Sequence, residues 1–208
     1  MARPPDLEKR KELARRAAAV LEKHGLTIST EELARRLEIN RTTLLYHFPT
    51  YADIIQSVLG DLLAEQAIYV ERKVREHEHP IDQIYARIRA THSFHEGRER
   101  RLLFLSQAVA VTGGPNVADI VRGAADLFEA SRNALVAALE RGIDEGTVAP
   151  CDAKAVISLA RAVIDGLTFQ RVTSSAPIEP MQRLFYESVL LPLKRSPSQA
   201  KTKKGKTK

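Results

Sequence analysis

Residues 41–47 hold five side chains with the chemistry to recognise nucleic acid. They are Arg41, Thr42, Thr43, Tyr46 and His47, a set of hydrogen-bond donors, hydroxyls and rings. Groups of these types bind phosphates and base edges in protein–DNA complexes. Leu44 and Phe48 lie four positions apart and predict the buried stripe of a short helix, which leaves the five for its outer face. An ordinary helix with a solvated polar face would show the same pattern, so both interpretations stay open at this point.

Helix-capping signals surround this segment and predict how it is positioned. Ser29 is an expected N-cap whose partner Glu32 reaches back to complete a capping box, and Asn40 is the expected N-cap of the next helix. Apolar pairs around the caps predict hydrophobic staples, Ile28 with Leu33 and Ile39 with Leu44. Only residues 37–39 separate the two helices, so they must cross steeply. This predicts a helix-turn-helix motif whose second helix can enter a DNA major groove.

The stretch EELARRLEINRTTLLYHFPTYADII resembles the recognition segment of the tetracycline-repressor (TetR) family of bacterial transcriptional regulators. The resemblance implies a dimeric, ligand-responsive repressor with an N-terminal three-helix DNA-binding domain. It places Arg41, Thr42, Thr43, Tyr46 and His47 at DNA-contacting positions. It also places Thr30 against phosphate at the N-terminus of the first motif helix, with Asn40 as cap of the recognition helix.

Two positions depart from the family pattern. Leu45 stands where the family usually has a tyrosine, and Tyr51 stands where it usually has a phosphate-binding lysine. A phenol can donate one hydrogen bond to phosphate but brings no charge, so phosphate affinity per half-site is expected to be weaker. These departures leave an alternative open, in which the chain is a helical dimer that binds a protein partner and has lost operator binding.

Composition excludes several other classes of protein. The chain has 208 residues, 44% of them apolar, enough for a substantial core in one or two domains. Alternating strand patterns are missing, which predicts an all-α fold. Cys151 is the single cysteine, and no apolar run approaches the ~20 residues of a membrane span. We therefore expect a cytoplasmic protein without a disulfide or cofactor, and the absence of nucleophile, phosphate-loop or carboxylate–histidine motifs predicts that it is no enzyme.

Charge divides the chain into three parts. Residues 1–48 carry ten basic against seven acidic side chains, residues 49–193 carry fifteen against nineteen, and residues 194–208 carry seven basic side chains alone. A basic head and an acidic body are typical of a protein that binds nucleic acid at one end. We predict a helix-turn-helix domain over 1–50, a helical ligand-binding and dimerisation domain over 51–195, and a disordered basic tail over 196–208.

The body is expected to hold an apolar cavity for a small effector. A helix predicted over 99–112 is apolar nearly all round and is therefore expected to be buried. His92, His95 and Glu96 share one helical face, where they can line a pocket; a metal site there would need further ligands that the sequence does not supply. The acidic surround favours a neutral or cationic apolar ligand. The expected ligand-binding residues are His92, His95, Phe94, Phe104, Thr112, Phe128 and Phe169.

A second stretch, residues 142–170, resembles the passage of the TetR family into its last two helices. Glu145-Gly146, Asp152, Ala160 and Asp165-Gly166-Leu167 carry this resemblance. Apolar and small residues fill most of the helix that follows Asp152, and Leu184, Val189 and Leu190 offer a second apolar face. The resemblance implies that these two helices pair with their symmetry mates in a homodimer, and we expect Val163 and Leu167 in the interface. The alternative is that both helices simply belong to the core of one chain.

Overall fold

A computed structural model describes the backbone of residues 6–98, 115–174 and 176–195, and the side chains of all of these except 115–127. Regular structure in these ranges is helical, and the β pairing within them is an isolated antiparallel bridge between Val148 and Lys194. The all-α prediction is confirmed. The helix predicted over 99–112, with Phe104 and Thr112, and the basic tail over 196–208 lie outside the described residues. The helices are α1 (Leu7–His24), α2 (Thr30–Arg36), α3 (Arg41–His47), α4 (Tyr51–Arg75), α5 (Pro80–Phe94), α6 (Pro115–Asp144), α7 (Ala153–Ser174) and α8 (Glu179–Phe185).

Side chains cap the N-termini of α2, α4 and α7, the first of them at the predicted Ser29. Ser29 Oγ accepts a hydrogen bond from the Glu32 amide at 3.1 Å, and Asp152 Oδ1 accepts one from the Ala155 amide at 2.9 Å. Thr50 and Asp53 cap α4 reciprocally, since Thr50 Oγ1 accepts from the Asp53 amide at 3.1 Å and Asp53 Oδ2 accepts from the Thr50 amide at 2.8 Å. These bonds satisfy amides that the first turn of a helix leaves without a partner.

Two details of the predicted caps are wrong. The Glu32 carboxylate does not reach back to Ser29 but accepts hydrogen bonds from Arg35 Nη2 at 2.8 Å and Arg36 Nε at 2.7 Å. Asn40 occupies the N-cap position of α3, but its side chain forms no capping hydrogen bond. Arginines three and four positions along a helix can reach the same carboxylate, and here three charge-assisted bonds from Arg35 and Arg36 replace the one to the backbone.

Two compact units divide the described helices, and α4 and α6 each belong to both because the boundaries follow Glu65 and Asp126. The first unit contains α1, α2, α3 and the first part of α4, around a core that includes Leu13, Leu33 and Phe48. The second unit contains the rest of α4 together with α5, α7 and α8. Its core includes Ile81, Ile88, Leu139, Ile157 and Leu190.

The last predicted helix is shorter and less regular than expected. After α8, the chain makes a five-residue π-helical segment at Tyr186–Leu190 and a 3-10 turn at Leu191–Leu193. Residues 193–195 are then held by backbone pairing, because the Ala149 amide donates to Leu193 O and the Arg195 amide donates to Thr147 O, both at 2.8 Å. Within the described ranges, no helix is both long enough and apolar enough to span a membrane.

Candidate DNA-binding site and ligand cavities

Helix α3 is fixed by its inner face and presents donors on its outer face. Leu44 and Phe48 are fully buried, as the four-residue spacing predicts. The side chains of Arg41, Thr42 and Thr43 are exposed, and Tyr46 keeps 46% of its surface accessible. The exposed Asn40 precedes them, and the partly buried Thr30 opens α2. A helix packed in this way offers hydroxyl, guanidinium and phenol groups from one rigid surface.

His47 does not join that outer face. Only 6% of its surface is accessible, so the prediction that it lies on the exposed side of α3 is wrong. It follows Leu44 by three positions, and the core beneath α3 is wide enough to include both. Its Nδ1 is buried and has no hydrogen-bond partner among the described residues, while its ring lies edge-on to the Tyr46 ring at 5.1 Å between centroids.

The turn between α2 and α3 is a Schellman motif with an unusual residue. The Ile39 amide donates to Ala34 O and the Glu38 amide donates to Arg35 O, both at 3.1 Å, which are the two bonds of that motif. Glu38 takes a φ of +57°, the left-handed conformation that glycine normally supplies. The chain therefore reverses between the two motif helices within three residues, and it does so against the conformational preference of Glu38.

Two arginines of α1 hold the motif from behind, and the sequence did not single them out. Arg16 Nη2 donates to Leu37 O in the turn, and the Arg10 guanidinium lies over the Phe48 ring at 5.2 Å from its centroid. Both arginines stand among many charged residues of α1, and such a run of charges in a sequence predicts only a solvent-exposed helix face. Because their partners are 21 and more positions away, no local spacing could indicate them. An apolar stem with a charged end allows each to pack while its guanidinium stays at the surface.

Tyr51 is turned towards the protein. Its hydroxyl donates to Leu26 O at 3.1 Å and its ring packs against the core of the first unit. Burial raises the pKa of this phenol. The hydroxyl that was expected to meet a phosphate therefore already has an internal acceptor, and DNA contact by Tyr51 stays a prediction.

Two cavities with different linings lie among the described residues of the second unit. One, of 440 Å³, is mainly polar. The other is an open groove of 420 Å³ between α4, α5 and α6, with Phe128 among its apolar walls. Both volumes fall in the range of small-molecule sites, about 300–1,000 Å³. The polar cavity includes Tyr69, Lys73, Arg89, His92, Glu179 and Gln182 in its lining.

His92 of α5 and His95, which directly follows that helix, are buried and bonded within the protein. His92 Nε2 donates to Ile164 O at 3.1 Å, and its Nδ1 accepts from Gln182 Nε2 at 2.7 Å. His95 Nε2 lies 3.2 Å from Gln66 Oε1. His92 thus reaches the wall of the polar cavity with both ring nitrogens already engaged. Burial lowers its pKa below the ordinary 6.5, so the ring is neutral at physiological pH.

The predicted aromatic residues fall in different places. Phe128 lines the open groove, whereas Phe94 contacts the Tyr69 ring at 5.6 Å between centroids and borders neither cavity. Phe169 is 69% exposed, so its expected place in an apolar cavity is wrong. Among the described residues, no group of three or more His, Cys, Asp or Glu side chains could hold a metal ion.

Comparison with known proteins identifies the fold. No protein-family model matches the chain, and no curated protein matches it. The solved structure of the TetR family transcriptional regulator PfmR from Thermus thermophilus superimposes with a TM-score of 0.64 at 19% identity, over 88% of this chain and 99% of that one. The chain has the TetR fold. The fold implied by the sequence resemblance is therefore confirmed.

Two further solved structures share the TetR fold and hold ligands. A putative transcriptional regulator from Saccharomonospora viridis in complex with choline matches with a TM-score of 0.73 at 16% identity, over 92% of this chain and 100% of that one. AibR in complex with isovaleryl coenzyme A and operator DNA matches with a TM-score of 0.62 at 13% identity, over 89% of this chain and 97% of that one. Identities this low establish the shared fold alone.

One side of α7 in this TetR fold is apolar and exposed. Its residues recur every three or four positions, the spacing of a single helical face. Leu159 is 46% and Phe169 69% accessible, and Leu184 on α8 is 62% accessible. Val163 instead packs against the core of the second unit, and Leu167 is buried, with 8% of its surface accessible. The exposed α7 stripe consists of Ala155, Leu159, Ala162, Gly166 and Phe169.

Proposed function

We propose that this protein is a homodimeric, ligand-responsive transcriptional regulator, a repressor that a small apolar effector releases from a palindromic operator. The observation that carries the proposal is the outer face of α3, where Arg41, Thr42, Thr43 and Tyr46 project from a helix anchored by Leu44 and Phe48. A rigid base is needed for base recognition, because side chains must meet base edges within hydrogen-bonding distance. The shared TetR fold, which in AibR is found with operator DNA, supports the same conclusion.

The roles within the motif follow from chemistry. Arg41 can form the paired hydrogen bonds that recognise guanine, and the methyl groups of Thr42 and Thr43 can contact thymine. Tyr46 and Thr30 are suited to phosphate, which positions α3 without carrying sequence information. His47 and Tyr51 are placed to support the motif from inside, so we assign them no base contact.

The α7 stripe supports the dimer. Three exposed apolar side chains on α7 and α8 cost solvation free energy in a monomer, about 25 cal/mol for each Å² left in water. Gly166 lies in the middle of α7, and the space within 4 Å of the position that a Cβ would take there is open. Glycine weakens a helix by about 1 kcal/mol relative to alanine, so its presence favours close approach by a partner helix. Two-fold pairing of this face would place two copies of α3 on two half-sites of a palindrome.

The proposed release by an effector uses α4. The first part of this helix belongs to the unit that holds α3, and its second part lines the open groove of the second unit. A ligand that displaces the second part can bias the first part because the helix is continuous from Tyr51 to Arg75. The shift it can cause is bounded by its difference in affinity between the two states.

Binding to genomic DNA fragments tests the DNA-binding half of the proposal. We expect sequence-selective binding by fluorescence anisotropy, and Arg41→Ala should lower affinity for the selected operator by about 1–3 kcal/mol if the side chain meets a base. Arg141→Ala is the matched control, since it removes one exposed arginine of α6 in the second unit. If Arg41 contacts phosphate instead, affinity for all DNA falls alike and the salt slope decreases by about 0.9 per contact. A wild-type chain without sequence-selective binding would favour the protein-partner alternative.

A further inference from the structure

The open groove of the second unit combines apolar walls with the partly buried guanidinium of Arg87 and the carboxylate of Glu71. We call it the Arg87 groove. Val70 in its lining is 2% accessible, while Ile68 is 72% exposed. Among the described residues, no element covers the apolar side chain of Ile68. Its volume is 420 Å³. Its lining is Ala67, Ile68, Val70, Glu71, Arg87, Phe128, Ala130, Ser131 and Ala134.

Arg87 enters the groove without a carboxylate partner among the described residues. Its Nη1 donates to Ser131 Oγ at 2.6 Å, and its guanidinium lies over the Phe128 ring at 6.0 Å from the centroid. A guanidinium has five N–H donors, and the neutral serine takes one of them. Burial, followed by the nearby charge of Arg132, lowers the pKa of Arg87. Arg87 therefore carries its charge in an environment that disfavours it.

Glu71 also lines the groove, where Ser131 links its carboxylate to Arg87, and its charge raises the pKa of Arg87 against the effect of burial. Its Oε1 accepts from Arg75 Nε at 2.9 Å, and its Oε2 lies 3.5 Å from Ser131 Oγ. Arg132 pairs with Glu129. Among the described residues, Glu71 reaches Arg87 only through the Ser131 hydroxyl, so guanidinium donors remain for a ligand, and a planar guanidinium can bind a carboxylate in two parallel hydrogen bonds.

We propose that the Arg87 groove binds an apolar molecule that bears a single carboxylate, of the medium-chain alkanoate class. The inference rests on the proposed function, because this ligand would be the effector. It differs from the neutral or cationic ligand that the acidic body favours. We favour the carboxylate over a neutral or cationic ligand because of the charge that the ligand would contact inside the groove. Dispersed surface charge is screened beyond about 8 Å at physiological salt, whereas a partly buried cation is screened much less. Apolar walls around one cation also disfavour a polyanion, whose further charges would lose water without compensation.

Three probes of equal chain length isolate the head group. Octanoate, 1-octanol and octylammonium are titrated calorimetrically into the full-length, DNA-free protein. We expect octanoate to bind at least about tenfold more tightly than octanol, the range of a charge-assisted hydrogen bond, and octylammonium to bind most weakly. Equal affinity for octanoate and octanol, or a preference for octylammonium, would overturn the proposal.

Two variants with one matched control test the groove itself. Arg87→Met keeps the apolar stem and should remove the preference for octanoate over octanol. Ala134→Trp fills the groove from an exposed position on α6 and should abolish binding of both probes while the chain stays folded. Arg89→Met is the control, because Arg89 lies two positions along α5, lines the polar cavity and should leave octanoate affinity unchanged. If both Arg87→Met and Ala134→Trp leave octanoate affinity unchanged, the ligand binds elsewhere and the proposal is wrong.

DNA binding by the ligand-free protein is measured separately, so the two proposals fail in different ways. Operator binding without octanoate binding would overturn the ligand class and leave the DNA-binding function standing. Octanoate binding through Arg87 that does not change operator affinity would uphold the site and overturn its role in release.

Discussion

Glu38 carries a conformational cost in the turn of the helix-turn-helix motif. Its φ is +57°, and its side chain is exposed at the C′ position of a Schellman motif. A left-handed backbone costs an L-residue roughly 1–2 kcal/mol, whereas the extra chain entropy of glycine costs roughly 0.5–1 kcal/mol. We therefore expect Glu38→Gly to raise the free energy of unfolding by about 0.5–1 kcal/mol, measured from the midpoint of urea denaturation.

Glu38→Ala is the control for this prediction. Alanine removes the same exposed carboxylate but keeps the Cβ that makes the left-handed conformation unfavourable. We expect no comparable gain from it. If alanine stabilised the protein as much as glycine, the gain would come from the lost carboxylate and the backbone argument would be wrong.

Single residues also mark the limit of prediction from sequence. The caps at Ser29, Thr50 and Asp152 form because each bond joins residues three apart, and this spacing is visible in the sequence. The contacts that bring Tyr51 to Leu26 and Arg16 to Leu37 span 25 and 21 positions. These contacts exist only once the helices of the first unit have packed together, so the sequence could not show that Tyr51 turns inward.

Among the elements, three are joined through one buried imidazole. His92 of α5 donates to Ile164 O of α7 and accepts from Gln182 of α8. A proton added to Nδ1 would face the amide group that now donates to it. Because burial lowers the pKa of His92 below 6.5, the folded state binds this proton less readily than the unfolded state. Its contribution to stability is thus complete above pH 6.5 and is lost as the pH falls below that value.

We expect the free energy of unfolding to decrease from about pH 7.5 to pH 5, with part of the decrease absent in His92→Gln. The glutamine can bond to a carbonyl but does not titrate in this range. His24, whose pKa burial also lowers, adds a decrease of the same sign, so the difference between wild type and His92→Gln isolates His92. Parallel stability profiles for the two proteins would show that His92 does not titrate on unfolding.

The positions of the helices could be predicted from the sequence. Which side of a helix faces the core was harder to predict. The apolar spacing in α7 indicated an interface, but it could not separate the residues that pack inside one chain from those that remain exposed. Val163 and Leu167 share the apolar character of Leu159 and Phe169, yet Val163 packs against the core of the second unit and Leu167 is buried. The sequence shows that a residue of α7 is apolar. It does not show whether that residue packs against its own chain or against a second one.

At the scale of the whole molecule, this distinction changes which substitution tests the proposed dimer. Val163→Glu or Leu167→Glu would place an uncompensated charge inside the second unit, so loss of the dimer would be confounded with unfolding. Gly166→Leu avoids this problem because space is open within 4 Å of the Cβ position. Leucine also stabilises the helix by about 1 kcal/mol relative to glycine.

Gly166→Leu should therefore yield a folded monomer in sedimentation velocity, with undiminished helicity by circular dichroism, because the new side chain blocks close approach across the α7 stripe. Gly60→Leu is the matched control, since Gly60 is also an exposed glycine within a helix, with open space around its Cβ position, but it lies on α4. The control should remain dimeric. A Gly166→Leu protein that sediments as a dimer at the concentrations where wild type does so would mean that subunits meet through another surface. The spacing of operator half-sites would then have to be derived from that surface instead.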